Sequence, residues 1–84
     1  MKHNEILRQQ IFEIIENQMR DNKPKETNIT YRRLVSMGYT DEDAKMYIGQ
    51  CVAVEIFNIM KYQQKFDEKR YIGNLKNLPK EPFE

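Results

Sequence analysis

Residues Tyr39 to Tyr62 constrain the fold more than any other stretch of the chain. Thr40 can cap a helix there, Asp41, Glu42 and Asp43 fill its first turn, and Ile48, Cys51, Val52, Ile56, Phe57, Ile59 and Met60 follow. Carboxylates suit the positive end of a helix macrodipole, and Asp43 at the third helical position is a weaker relative of the capping-box glutamate. Tyr39, just ahead of the cap, is placed to staple onto Ala44. A helix that is apolar on more than one face must be wrapped by other helices. Gly49 interrupts it at a cost of about 1 kcal/mol against alanine, which a close helix crossing would explain.

Three more helices are predicted around this one. The first runs from about Asn4 to Asn22, with Leu7, Ile11, Ile14, Ile15 and Gln18 on one face at spacings of three and four. Phe12 and Met19 widen that face. Pro24 breaks the chain, and a shorter helix follows from Glu26 or Thr27 to Met37 with Tyr31, Leu34 and Val35 inward. Gly38 sits where a left-handed C-cap is wanted. Phe66-Asp67-Glu68 repeats the grammar of staple, cap and acidic first turn, and Tyr71, Ile72, Leu75 and Leu78 form the apolar side of a fourth helix ended by Pro79. The expected fold is therefore all-α. It is a small, mostly antiparallel bundle of four helices over residues 1–79, with a central apolar third helix and an extended tail over 80–84.

Composition narrows the classes of function. Eighty-four residues make one domain with a thin core, which gives the chain reason to seek a partner. A net charge of +1 argues against a dedicated nucleic-acid binder. Residues 23–38 and 61–84 are net basic and 39–60 net acidic, so the basic segments are expected to pair with the acidic start of the long helix. No apolar run approaches about 18 residues free of charge, so no membrane span is expected. Met1-Lys2-His3-Asn4-Glu5 lacks the apolar core of a secretory signal, and a reducing cytoplasm is the expected location. In that setting the match of Asn28-Ile29-Thr30 to a glycosylation acceptor is accidental.

Glu55 is the anomaly. On a helical wheel referenced to Ile48 it falls among Ala44, Cys51, Val52, Ile59 and Tyr62. A buried carboxylate is costly unless it finds partners. Gln18 occupies the matching position on the first helix, so a Gln18–Glu55 contact is expected. Its bland role is a polar latch that fixes helix register, and its sharper role is a ligand site.

Signatures of catalysis are absent from the sequence. It has no glycine-rich phosphate loop and no paired cysteines, and its one histidine, His3, is read as solvated near the N-terminus. Cys51 reads as a small core residue rather than a nucleophile. Asp41, Glu42 and Asp43 lack the glycine turn and distal glutamate of a calcium loop and read as capping residues. Arg32, Arg33, Lys61, Lys65, Lys69 and Arg70 read as a solvated basic face. No catalytic residue, metal site or cofactor is predicted.

Two resemblances attach to these residues. Glu16-Asn17-Gln18, the turn Asp21-Asn22-Lys23-Pro24-Lys25-Glu26-Thr27, Leu34, Gly38-Tyr39-Thr40, Ala44, Ile48-Gly49, Glu55-Ile56 and Phe66-Asp67-Glu68-Lys69-Arg70-Tyr71 together resemble a family of short, uncharacterised bacterial all-helical domains. That resemblance implies an all-α fold. It carries no metal expectation, because this chain has Glu42, Met46 and Glu55 where some relatives have histidine. Met37-Gly38-Tyr39 followed by Ala44 is locally similar to the loop of ubiquitin-associated domains, which implies a compact helical unit binding a hydrophobic patch.

These readings point to a non-enzymatic interaction or assembly module, self-associating as a homodimer through the third helix. Met37, Tyr39, Phe57 and Met60 are its candidate partner contacts. A ligand site around Glu55 and Gln18, supported by Tyr31, Tyr47 or Tyr62, is the alternative. A helix-turn-helix over residues 27–48 would present three acids to phosphates, which is electrostatically wrong.

Overall fold

In a computed structural model of the chain, residues 2–83 are described, with side chains from Glu5 onward. His3 lies outside the described side chains. The chain is a small all-α four-helix bundle: α1 (Lys2–Asp21), α2 (Lys25–Ser36), α3 (Asp41–Tyr62) and α4 (Glu68–Asn77). No helix is long and apolar enough to cross a membrane among the described residues.

The helix ends follow the local chemistry. Thr40 accepts the Asp43 backbone N–H at 3.1 Å and Asp67 accepts that of Arg70 at 3.0 Å, so each satisfies an orphan donor. Phe66 staples α4 by meeting the Tyr71 ring edge-on at 5.3 Å. Tyr39, ahead of the Thr40 cap, packs against the core that includes Ala44 and sets its ring edge-on to Tyr47 at 5.2 Å. Gly38, at φ +103°, closes α2: Tyr39 N–H bonds Leu34 O and Gly38 N–H bonds Val35 O, a Schellman motif. Pro24 occupies the N-cap position of α2, and the Lys23–Pro24 and Leu78–Pro79 peptide bonds are cis.

The core is Ile15, Leu34, Ala44, Ile48, Cys51, Val52, Tyr71, Leu75 and Leu78. Gly49 marks the α1–α3 crossing. A Cβ there would meet Ile11 Cγ2 at 3.1 Å and Ile15 Cδ1 at 3.7 Å, so its helix cost is offset by close approach. Glu16 pairs with Lys45 on one side of this crossing, and Leu7 shares a groove with Phe57 and Met60 on the other. The two helices therefore run antiparallel. α2 and α4 step in the same direction, with Thr27 beside Tyr71 and Arg33 bound to Leu75 O and Leu78 O.

Two expectations about inner faces are corrected. Val35 is exposed, and α2 buries Thr27 and Thr30 with Leu34 instead. Thr30 is thus inaccessible beside Asn28, whose amide bonds Met19 O and Asn22 Oδ1. α3 is one continuous rod, but only its first two thirds are wrapped. Ile59 and Tyr62, expected on the buried face, are exposed, because Glu55 holds the start of α4 level with itself and α4 runs back toward the start of α3, leaving the last turns of α3 beyond it. The tail is not extended: Lys80 N–H bonds Asn77 O, and Pro82 and Phe83 form a turn.

Candidate functional site

The side of α3 that faces α1, and the uncovered end beyond it, form one wall of an apolar groove. Leu7, Arg8, Ile11 and Phe12 of α1 face Lys45, Met46, Gly49, Gln50 and Ala53 of α3 across a volume of about 420 Å³. The groove continues past Ile56, Phe57 and Met60 for about 360 Å³ more. Phe83 of the tail lines both parts. Phe57 is 52% exposed, Met60 74%, Tyr62 55% and Phe83 66%. Lys61 lies over the Phe57 ring at 5.2 Å and the Tyr62 ring at 5.5 Å, so the patch has a cationic edge.

Of the four candidate partner contacts, the structure joins two. Phe57 and Met60 share the groove wall. Tyr39 lies at the far end of α3, roughly 27–31 Å away at the helical rise of about 1.5 Å per residue. There it lines a separate cleft of about 230 Å³ with Asp43, Met46, Tyr47, Gln50 and Glu81. Met37 is exposed, its sulfur accepting a long contact from Arg33. The contribution of α1 and Phe83 to the patch was missed from sequence. Leu7 and Ile11 share one face with buried Ile15, so their spacing does not separate groove from core, and a lone aromatic in a tail carries no periodic signal.

The expected Gln18–Glu55 latch does not form. Ile11 and Ile15 sit at Gly49, so the antiparallel register carries Gln18 toward one end of α3 and Glu55 toward the other. Each finds other partners. Glu55 is fully buried and accepts two bonds from Arg70, Nε to Oε2 at 2.7 Å and Nη2 to Oε1 at 2.9 Å, and one from the Asp67 backbone N–H at 2.8 Å. The carboxylate in turn holds the Arg70 guanidinium above its ordinary pKa, through hydrogen bonding first and charge second. Gln18 Oε1 accepts from Thr27 Oγ1 and from Tyr71 OH, both at 2.7 Å. Burial pushes the Tyr71 phenol up to about 12.

In both clusters the polar atoms bond across helices. The Glu55–Arg70 pair fixes the start of α4 against α3, and Gln18, Thr27 and Tyr71 join α1, α2 and α4. Neither Glu55 nor Gln18 lines the α1–α3 groove or the cleft beside Tyr39. Arg33 and Arg70, read from sequence as a solvated basic face, are anchors, whereas Lys61, Lys65 and Lys69 are exposed.

Among the described residues, the basic segments make no ion pair with the acidic start of α3. Asp41 takes the Tyr31 hydroxyl and Lys45 of its own helix at 3.4 Å. The Tyr31 hydroxyl bond holds the Asp41 carboxyl below its usual range. Cys51 lies in the core, where burial pushes its thiol up to about 12, so it is held as an inert thiol. Among the described residues, no three His, Cys, Asp or Glu side chains converge as metal ligands would.

The fold and site together define a small helical bundle with an apolar groove that its own tail only partly fills. Comparison with family models, with curated proteins and with solved structures gave no match.

Proposed function

We propose that this protein is a small helical assembly module that acts through protein contacts, not catalysis, and associates with itself through the α1–α3 groove and the adjoining end of α3. One observation carries this reading: Leu7, Phe57, Met60, Tyr62 and Phe83 form a run of exposed apolar side chains around one groove. At about 200 Å² for a complete large side chain, their exposed parts amount to roughly 550 Å². That is the upper end of what a soluble monomer leaves in a single patch, and larger patches mark interaction sites. The thin core of an 84-residue chain gives the same surface a second use, since association adds burial that the monomer lacks.

Light scattering coupled to size exclusion tests the reading. The chain is expected to form a dimer at high micromolar concentration. Phe57→Asp and Met60→Asp together should return it to a monomer with unchanged helix content, because neither side chain belongs to the core. A strictly monomeric wild-type chain under those conditions would refute it.

A further inference from the structure

The tail after α4 deepens the self-association reading and rests on it. Leu78 is fixed, being buried with its carbonyl bound by Arg33 Nη1 at 2.7 Å. Beyond it the chain crosses α3. Glu81 lines the small cleft beside Tyr39 and Tyr47, and Phe83 lines the apolar groove beside Leu7, Ile11 and Ala53. Met46 and Gln50 line both. The groove thus has a resident ligand, an aromatic ring at the end of a short tether. It is an incomplete one, since Phe83 as a residue stays two-thirds exposed and Phe57 and Met60 beside it are more than half exposed.

Two arguments select the occupant. A second copy offers the same tail to the same seat, so exchanging tails forfeits none of the contacts made within one chain and costs only the freedom lost on association. Phe57 and Met60 line the same groove as Phe83, and Tyr62 meets the Phe57 ring, so a second copy seated there would have these exposed side chains to cover. The roughly 550 Å² of apolar patch is most of the ~800 Å² that each partner contributes to a standard interface. Arg8, which lines the groove, and Lys61 at its edge supply a polar rim.

We propose that the α1–α3 groove is the seat for the C-terminal tail of a second copy, and that the associated form is a dimer with exchanged tails anchored by Phe83.

An isotope-filtered NOE experiment tests this on a dimer formed from equal parts of ¹³C-labelled and unlabelled full-length chain. The expected result is cross-peaks between the Phe83 ring of one copy and the Ile11 and Ala53 methyls of the other. In parallel, Phe83→Ala should raise the dimer dissociation constant about tenfold or more, as loss of an anchoring aromatic does, with helix content unchanged. Phe83 contacts that are purely intramolecular in a demonstrated dimer, or a dissociation constant unmoved by Phe83→Ala, would overturn tail exchange and leave self-association standing. A chain that stays monomeric at these concentrations would overturn both.

Discussion

Glu55 and Arg70 form a two-point ion pair, Oε2 to Nε at 2.7 Å and Oε1 to Nη2 at 2.9 Å, with the carboxylate buried and the guanidinium partly exposed. Oε1 also accepts the Asp67 N–H, so one carboxylate holds both the cap and the first turn of α4. Glu55→Ala strips acceptors from both groups and leaves a cavity, and should cost about 2–4 kcal/mol. Glu55→Gln keeps a carbonyl oxygen for Asp67 and should cost less. Urea denaturation measures both. A Glu55→Ala variant as stable as wild type would show that the tie contributes nothing.

Alkaline pH should unfold the protein through two buried acids. Folding raises the Cys51 thiol from 9.0 to about 12 and the Tyr71 phenol from 10.0 to about 12. In these windows the folded chain keeps protons that the unfolded chain has lost. Stability therefore falls with rising pH, by about 1.4 kcal/mol per pH unit for each group. Their contribution is complete below pH 9 and declines toward pH 12. Denaturation midpoints at pH 8, 10 and 11 should show the fall, and Cys51→Ala with Tyr71→Phe should flatten it.

Gly49 should tolerate only the smallest additions. Alanine gains about 1 kcal/mol of helix propensity but presses its Cβ on Ile11 Cγ2 at 3.1 Å, so Gly49→Ala should stay within about 1 kcal/mol of wild type. Gly49→Val has no such offset and should cost about 1–3 kcal/mol by overpacking. Gly73 follows the same Tyr-Ile pair but has open space at its Cβ position, so Gly73→Ala should stabilise. Thermal melts of the three variants discriminate these outcomes.

Gln50 Oε1 is buried without a hydrogen-bond donor among the described residues. Leaving such an acceptor unsatisfied costs about 1–3 kcal/mol, so Gln50→Met should stabilise the monomer by about 1 kcal/mol. A melting temperature lower than wild type would show that the amide is satisfied in solution.

The caps and breaks were legible because they depend on neighbours in sequence. Thr40, Gly38, Pro24 and the Phe66-Asp67 pair act within one turn of themselves. Gly49 was legible as a crossing because a glycine in a helix body needs a reason. The inner face of α2 was misread because the hydroxyls of Thr27 and Thr30 make them look polar, although they fall on the Leu34 stripe. Glu55 and Gln18 were recognisable as buried polar groups, but their partners depend on helix register. Nothing local to Glu55 reveals that Arg70 reaches it across a loop, or that Gln18 lies on the far side of the Gly49 crossing. The groove was half legible, since an over-apolar helix announces uncovered surface without saying which helix forms the opposite wall.

Arg33 gives the chain a defined mechanical end. Its guanidinium clasps Leu75 O at 2.9 Å and Leu78 O at 2.7 Å, so the final turn of α4 is bolted to α2 rather than left to fray. A protease digesting inward through residues 80–83 would thus meet a stop at Leu78, where the buried side chain and the Arg33 clasp resist release.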